Sequence, residues 1–118
     1  MASMEKLKIT ADDLLVGANA TYEVEVPGSV IRPGSDVGEN GHGAGAVVRL
    51  RPLTVGAFQL ILKAAKEDPS LISLLMIKDS LVEPEMSLAQ VRKMHLGLVE
   101  FLIGHVREIS GLTEKKKP

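Results

Sequence analysis

Alternating apolar and polar positions mark two short segments in the first half of the chain. In residues 21–26, TYEVEV, every second side chain is apolar, and Pro27 follows. Residues 46–51, AVVRLR, alternate in the same way and end before Pro52, which brings no N–H group to a strand ladder. A period of two residues is typical of a strand with one buried face. We therefore predict two strands that pair as an N-terminal β-hairpin.

The polar faces of the two predicted strands carry opposite charge. Glu23 and Glu25 lie on the first strand, and Arg49 and Arg51 lie on the second. Opposite charges that face each other across an antiparallel pair contribute about 0.2–1 kcal/mol each and help to set the register. The sequence therefore favours a hairpin in which these acidic side chains face the basic ones.

The segments before and between the strands have the composition of turns and a loop. Residues 7–9 favour a short strand, and Thr10 is placed to cap a helical turn over 10–15. Between the strands, residues 27–45 hold six of the eleven glycines. Such a segment buries too little apolar surface to offset its ordering entropy. We expect a long mobile Gly-rich loop there, above all over residues 33–45.

A helical spacing of apolar residues dominates the second half of the chain. Cap residues and prolines divide this half into three predicted helices, at about 54–68, 69–83 and 87–111. Thr54 has the side chain of an N-cap, and the second helix ends because Pro84 follows it. Ser87 and Gln90 fit a capping box that opens the third helix, and Gly111 is its natural stop. The predicted fold class is α+β: a β-hairpin with a long Gly-rich loop, followed by a three-helix C-terminal bundle.

The third predicted helix is apolar on more than one side. Leu96, Val99 and Ile103 lie outside its main stripe, so they either complete the core of the monomer or pack against another protein. Two other helices and two short strands cover only part of such a helix. We therefore expect these three residues to bind a partner, which includes a second copy of the chain in a homo-oligomer. The main stripe consists of Leu88, Val91, Leu98, Leu102, Val106 and Ile109.

Length and composition limit the class of function. The 118 residues are expected to form one domain, 1–118, with a solvated tail at 113–118. Fourteen basic and fifteen acidic residues give a net charge of −1, and so no field that attracts nucleic acid or an anionic membrane. The lack of cysteine excludes disulfides, thiolate nucleophiles and cysteine zinc sites. Because no apolar run fits a membrane span or a signal peptide, we expect a cytoplasmic protein.

Two groups of residues in the Gly-rich loop have the residue types of a ligand-binding site, but the surrounding sequence lacks the structural elements that such a site requires. Residues 41–46, GHGAGA, fit a dinucleotide-binding glycine pattern. That pattern needs a strand before it and a helix after it, whereas here a strand follows. Asp36, Glu39 and His42 share a loop that does not preorganise metal ligands. We therefore predict no cofactor and no metal site.

The remaining candidates for catalysis are equally isolated along the chain. His95 and His105 lie ten residues apart on the third predicted helix and point to different sides of it, as surface or boundary histidines. No serine or threonine has a base and an orienting acid at a recognisable spacing. We therefore predict no catalytic residue and a protein that is not an enzyme.

Several stretches of the helical half are similar to one family of small phage proteins. They are VRLRPLTV at 48–55, LLMIKDSLVEP at 74–84, GLVEFL at 97–102 and ISGL at 109–112. Together they resemble tail assembly chaperones of phages and phage-tail-like particles, over roughly residues 46–112. The resemblance implies a strand-based N-terminal part and a helical bundle. It also implies a non-catalytic protein that keeps a long helical tape-measure protein soluble until tail tube protein polymerises around it.

The sequence leaves three classes of function open. The first is an assembly protein in the host cell cytoplasm, which self-associates or binds a protein partner of the tape-measure or tail tube type. The second is a structural subunit of the finished particle, such as a tube, baseplate or adaptor component. The third, a small-molecule-binding or enzymatic domain, is disfavoured by the missing site chemistry. Met76, Met86 and Met94 either fill gaps in the core or form an adaptable binding surface.

Overall fold

The fold combines a three-stranded antiparallel sheet with short helices. A computed structural model describes residues 8–34 and 45–112, and within these ranges the fold is mixed α and β. A 3-10 turn, Val16–Asn19, follows the first helix. The strands are β1 (Tyr22–Val26), β2 (Ala46–Leu50) and β3 (Leu81–Glu83), and the helices are α1 (Ala11–Leu15), α2 (Gly28–Ile31), α3 (Val55–Ala64), α4 (Leu71–Ser80), α5 (Leu88–Val91) and α6 (Leu96–Ile109).

The antiparallel pairing of the two predicted strands is confirmed. Glu23 of β1 faces Arg49 of β2, and the Arg49 Nη2 donates a hydrogen bond of 2.9 Å to the Glu23 Oε2. The second expected charge pair is wrong, because Glu25 faces Val47. Arg51 lies beyond the end of β2, and its Nε donates a hydrogen bond of 3.1 Å to the carbonyl oxygen of Asp79. The charge pattern thus predicts that the two strands pair, but the observed register differs by two residues from the one that would join both charge pairs.

The sheet has a third strand where the sequence predicts the end of a helix. The second helix was expected to reach Glu83, but it ends at Ser80, and the chain then pairs with β2 on the side opposite to β1. The Ser80 hydroxyl donates to the carbonyl oxygen of Arg51 over 2.6 Å, and the Arg51 N–H donates to the carbonyl oxygen of Ser80 over 2.9 Å. Leu81 faces Leu50, and both side chains are buried. A sheet therefore replaces the predicted simple hairpin.

The first two long helices are shorter than predicted. The Thr54 cap is confirmed, since its side chain accepts the N–H of Ala57, but α3 ends at Ala64. The next helix, α4, begins only at Leu71. Between them the Asp68 side chain accepts the N–H of Ser70 and stabilises a turn instead of a helix.

The third predicted helix is divided in two. The capping box of Ser87 and Gln90 is confirmed, but α5 ends at Val91 and α6 begins only at Leu96. The expected continuous helix over 87–111 is therefore wrong. The break occurs because His95 starts a new helix with its own side chain, as described below.

The end of α6 follows the prediction that Gly111 stops the helix. Gly111 has a φ of +74°, its N–H donates to the carbonyl oxygen of Glu108, and the N–H of Leu112 donates to that of Arg107. These two bonds form a Schellman motif, in which a left-handed residue is favourable only for glycine and a few polar residues.

The N-terminal part and the Gly-rich loop differ from the expectation in two places. The Thr10 cap is confirmed as a capping box with Asp13, whereas Lys8 and Ile9 belong to no strand. The first residues of the loop, Gly28–Ile31, form α2 instead of a mobile segment. Expectations that concern residues 35–44, which include Asp36, Glu39 and His42, and the tail at 113–118 lie outside the described residues.

The core lies between one face of the sheet and the helices α4 and α6. Val24 and Val26 contribute from β1 and Leu50 from β2, as the alternating pattern predicts. Within residues 8–34 and 45–112, no helix is long and apolar enough to cross a membrane. The buried apolar side chains are Val24, Val26, Leu50, Ile61, Ala65, Met76, Ile77, Leu81, Val91, Leu102 and Val106.

Truncation of a core leucine of α6 should strongly reduce stability. Leu102 is 2% exposed, so Leu102→Ala is expected to lower the free energy of unfolding by about 2–5 kcal/mol through lost burial and a cavity. Urea denaturation followed by circular dichroism measures this change. Leu96→Ala on the same helix is the matched control, because Leu96 is 80% exposed and its truncation should change stability by less than about 0.5 kcal/mol. Equal losses in the two variants would contradict this placement of α6.

Candidate protein-binding surface

An apolar groove opens on one side of the sheet. Its floor comes from the strands, its walls come from α2 and α6, and the segments on both sides of α5 complete it. The enclosed volume is about 230 Å³. The lining residues are Val26, Ile31, Ala46, Val48, Leu81, Pro84, Met86, Met94, Leu98 and Leu102. All of these side chains are apolar, so the groove can bind an apolar group but offers no hydrogen bond from a side chain.

The side chain of His95 holds the walls of the groove together. Its Nδ1 accepts the N–H of Leu98 over 3.2 Å and so caps α6. Its Nε2 lies 2.8 Å from the carbonyl oxygen of Val30 in α2. Because the Nδ1 accepts, we assign the ring proton to the Nε2, which then donates to Val30. One imidazole ring thus connects α2 to the start of α6.

The role of His95 was missed by sequence reasoning, which treats it as a surface or boundary histidine. Histidine is not among the residues that favour the N-cap position, so the local sequence does not predict that a new helix, α6, begins at this point. Gly97 is the remaining signal: a Cβ at this position would lie 3.2 Å from the Cε1 of the His95 ring. A glycine two residues after the cap leaves room for the ring.

The three methionines of the helical half differ in role: one fills the core, and two lie on the candidate binding surface. Met76 is buried and belongs to the core. Met86 and Met94 are partly buried and line the apolar groove. Unbranched thioether side chains adapt to different apolar shapes, which suits a surface that receives a side chain of another protein.

The three residues predicted to bind a partner are not equivalent in the structure. Leu96 is 80% exposed at the first position of α6, between the groove residues Met94 and Leu98 in sequence. Val99 and Ile103 are partly buried and pack against the core of their own chain. Leu96 therefore presents the most apolar surface of the three, and it lies outside the lining of the groove.

A second cavity, larger than the apolar groove, is polar and of mixed charge. It encloses about 490 Å³, and Arg51 and Lys78 line it together with Asp79 and Glu85. Arg51 is already engaged there, since its Nε donates to the carbonyl oxygen of Asp79. These contacts join the end of β2 to the end of α4 and so have a structural role.

The titratable residues elsewhere are dispersed over the surface. Among the side chains that the structure describes, no three of the types His, Asp or Glu come close enough to hold a metal ion. His105 packs against Phe101 with 4.7 Å between the ring centroids, and it lies ten residues from His95 on the same helix. The geometry therefore brings no predicted ligand or catalytic pair together in this part of the chain.

The size of the apolar groove favours one kind of occupant. Sites for small molecules typically enclose about 300–1,000 Å³ and include a few placed polar groups. The groove is smaller and has only apolar side chains. An amphipathic helix binds such a groove by inserting one or two anchor side chains spaced three or four residues apart.

Comparisons of the chain with protein-family models, with curated proteins and with solved structures find no match. What the chain binds is therefore inferred from its own surface. The apolar groove and the exposed Leu96 at the start of α6 are the features that bear on binding.

Removal of the His95 side chain should loosen both α6 and α2. We expect His95→Ala to lower the free energy of unfolding by about 1–3 kcal/mol, because it deletes the cap of α6 and the hydrogen bond to Val30. Urea denaturation measures the loss. His95→Asn, which keeps a capping side chain but is too short to reach Val30, should recover part of it. If His95→Ala were as stable as the unaltered chain, the imidazole would have no role in joining the two helices.

Proposed function

We propose that this chain is a non-catalytic assembly protein of a phage tail or tail-like particle. It binds a long helical partner of the tape-measure type in the host cytoplasm and keeps the apolar face of that partner covered. The partner remains soluble until tail tube protein replaces the chain around it. The resemblance of residues 46–112 to tail assembly chaperones suggests the role.

The observation that carries the proposal is the apolar groove. A groove without polar lining side chains gains free energy mainly by burial of an apolar side chain, at about 25 cal/mol for each Å² removed from water. The groove recognises no specific polar group. It is therefore better suited to the repeated apolar positions of a long helix than to a single specific sequence. Met86 and Met94 allow the lining to adapt to Leu, Ile or Phe at those positions.

Leu96 extends the binding surface beyond the groove. Leu96 and Leu98 are two positions apart on α6, so their side chains point to different sides of the helix, and Leu96 offers a separate apolar contact outside the groove lining. Burial of a fully exposed leucine contributes about 1.5–3 kcal/mol, enough to change the affinity by a factor of ten or more. Leu96 is therefore the predicted hot spot at the edge of the surface.

The second candidate is a structural subunit of the finished particle, such as a tube, baseplate or adaptor component. Large apolar side chains exposed on α3, among them Val55 and Leu60, favour it, because a subunit buries such residues permanently against its neighbours. The two candidates differ in where the protein is found. An assembly protein is absent from purified particles, whereas a subunit is present in a fixed ratio to tail tube protein.

Charge placed in the groove or at Leu96 should strongly weaken partner binding without unfolding the chain. We expect Met94→Glu and Leu96→Glu each to weaken binding to the tape-measure protein of the same particle by about 30-fold or more, as for hot-spot residues. The measurement is the amount of tape-measure protein that stays soluble and co-purifies when it is expressed together with each variant. Val47→Glu is the matched control, because Val47 is 60% exposed on β2 and lines no part of the groove.

Two results would contradict the proposed function. One is a tape-measure protein that is equally soluble with and without the chain. The other is loss of binding with Val47→Glu to the same extent as with Met94→Glu, which would show that the groove is not the binding surface. Circular dichroism spectra of all variants confirm that the substitutions leave the helices intact.

A further inference from the structure

The N-terminal segment of the described residues is an apolar arm that the other described elements leave exposed. The arm, residues 9–19, consists of Ile9, Thr10, α1 and the 3-10 turn. No residue of α1 or of the turn is buried. Leu14 is 72% exposed, and Ile9, Leu15 and Val16 are each more than half exposed. Four large apolar side chains within eight positions thus face water.

An isolated helix of this length is not stable by itself. Helices shorter than about 12 residues are marginal in water, and in proteins they gain their stability from the packing of an apolar face. The capping box of Thr10 and Asp13 supplies only part of the stabilisation that a helix as short as α1 requires. The combination of a well-capped short helix and exposed leucines therefore points to a surface on which the arm packs.

A complementary groove lies between α3 and α4. It encloses about 250 Å³, and its lining is apolar except for Asp79: Ala57, Leu60, Ile61, Ala64 and Leu75. Leu60 is 66% exposed there. Ala57 and Asp79 also line a neighbouring cavity whose other side is formed by the end of the arm, Ala18 and Asn19. The end of the arm thus lies beside the groove between α3 and α4.

Charge complements shape at this groove. The first turn of α1 carries Asp12 and Asp13, and α1 has no basic residue in its last turn. The last turns of α3 and α4 carry Lys63 and Lys78, both of which are exposed. Neither lysine lines the groove, but together they outnumber its one carboxylate, Asp79, so an acidic helix in the groove gains favourable charge pairs at its edges.

We propose that two copies of the chain exchange arms, each arm lying in the α3–α4 groove of the other copy. The arm does not cover the groove of its own chain, since Leu14 and Leu60 are both exposed. The right-handed helical backbone continues from Leu15 through Val16 into the 3-10 turn, so the arm has no reverse turn that would fold it back. A two-fold exchange covers both arms and both grooves at once and closes the assembly as a dimer.

This dimer is separate from the proposed binding of a helical partner. The α3–α4 groove and the apolar groove of the sheet share no lining residue. A failure of one proposal therefore leaves the other unaffected, and variants in one groove serve as controls for the other.

Sedimentation equilibrium of the full chain tests the arm exchange. We expect a dimer, and we expect Leu14→Glu in the arm or Leu60→Glu in the groove to raise its dissociation constant by about 30-fold or more. Val47→Glu should remain dimeric. A mixture of Leu14→Glu and Leu60→Glu chains should form a heterodimer of intermediate stability, because one intact arm then meets one intact groove.

The charge pairs supply a second, independent readout. Lys63→Glu with Lys78→Glu should weaken the dimer, and Asp12→Lys with Asp13→Lys in the same chain should restore it. A strict monomer at the highest soluble concentration overturns the proposal, and so does a dimer that Leu14→Glu and Leu60→Glu leave unchanged. A monomer whose Leu14 becomes protected from solvent in solution would show that the arm covers its own chain, which also overturns the exchange.

Discussion

The reciprocal hydrogen bonds between Ser80 and Arg51 are the constraint on which the rest of the structure depends. They end α4 and place the next residues beside β2, where Leu81 packs over Leu50. Ser80 is a fully buried polar residue, so loss of its partner would leave an unsatisfied hydroxyl in the interior, at a cost of about 1–3 kcal/mol. Without this connection there is no third strand, and the floor of the apolar groove loses Leu81.

A second polar contact, at His95, determines the shape of the binding surface. By starting α6 with its own side chain, the imidazole separates α5 from α6 and leaves Met94 in the turn between them. The hydrogen bond to Val30 holds α2 near the same point. The groove is therefore apolar in its lining but positioned by two polar contacts outside it. This division is common where a protein needs an adaptable surface on a fixed frame.

The exposed apolar residues fall into two groups with different consequences. Leu96, at the start of α6, lies outside the lining of the apolar groove and is the second contact proposed for a helical partner. The leucines of the arm and Leu60 of α3 lie around a second groove, which is suited to a second copy of the chain. The small net charge of −1 leaves both surfaces free of long-range repulsion. Both proposed contacts rest on the burial of apolar side chains.

The sequence by itself determined those features that depend on neighbours in the chain. The alternation of β1 and β2 and the caps at Thr10, Thr54, Ser87 and Gly111 are local, because each rests on residues within about four positions. It could not show that 81–83 leaves the helix or that His95 begins a new one. Ser80 bonds to Arg51 and His95 to Val30, partners 29 and 65 positions away. The groove is lined by residues of five elements, so only the tertiary structure decided where it lies. The tertiary structure also decided that Val99 and Ile103 pack inward while Leu96 stays exposed.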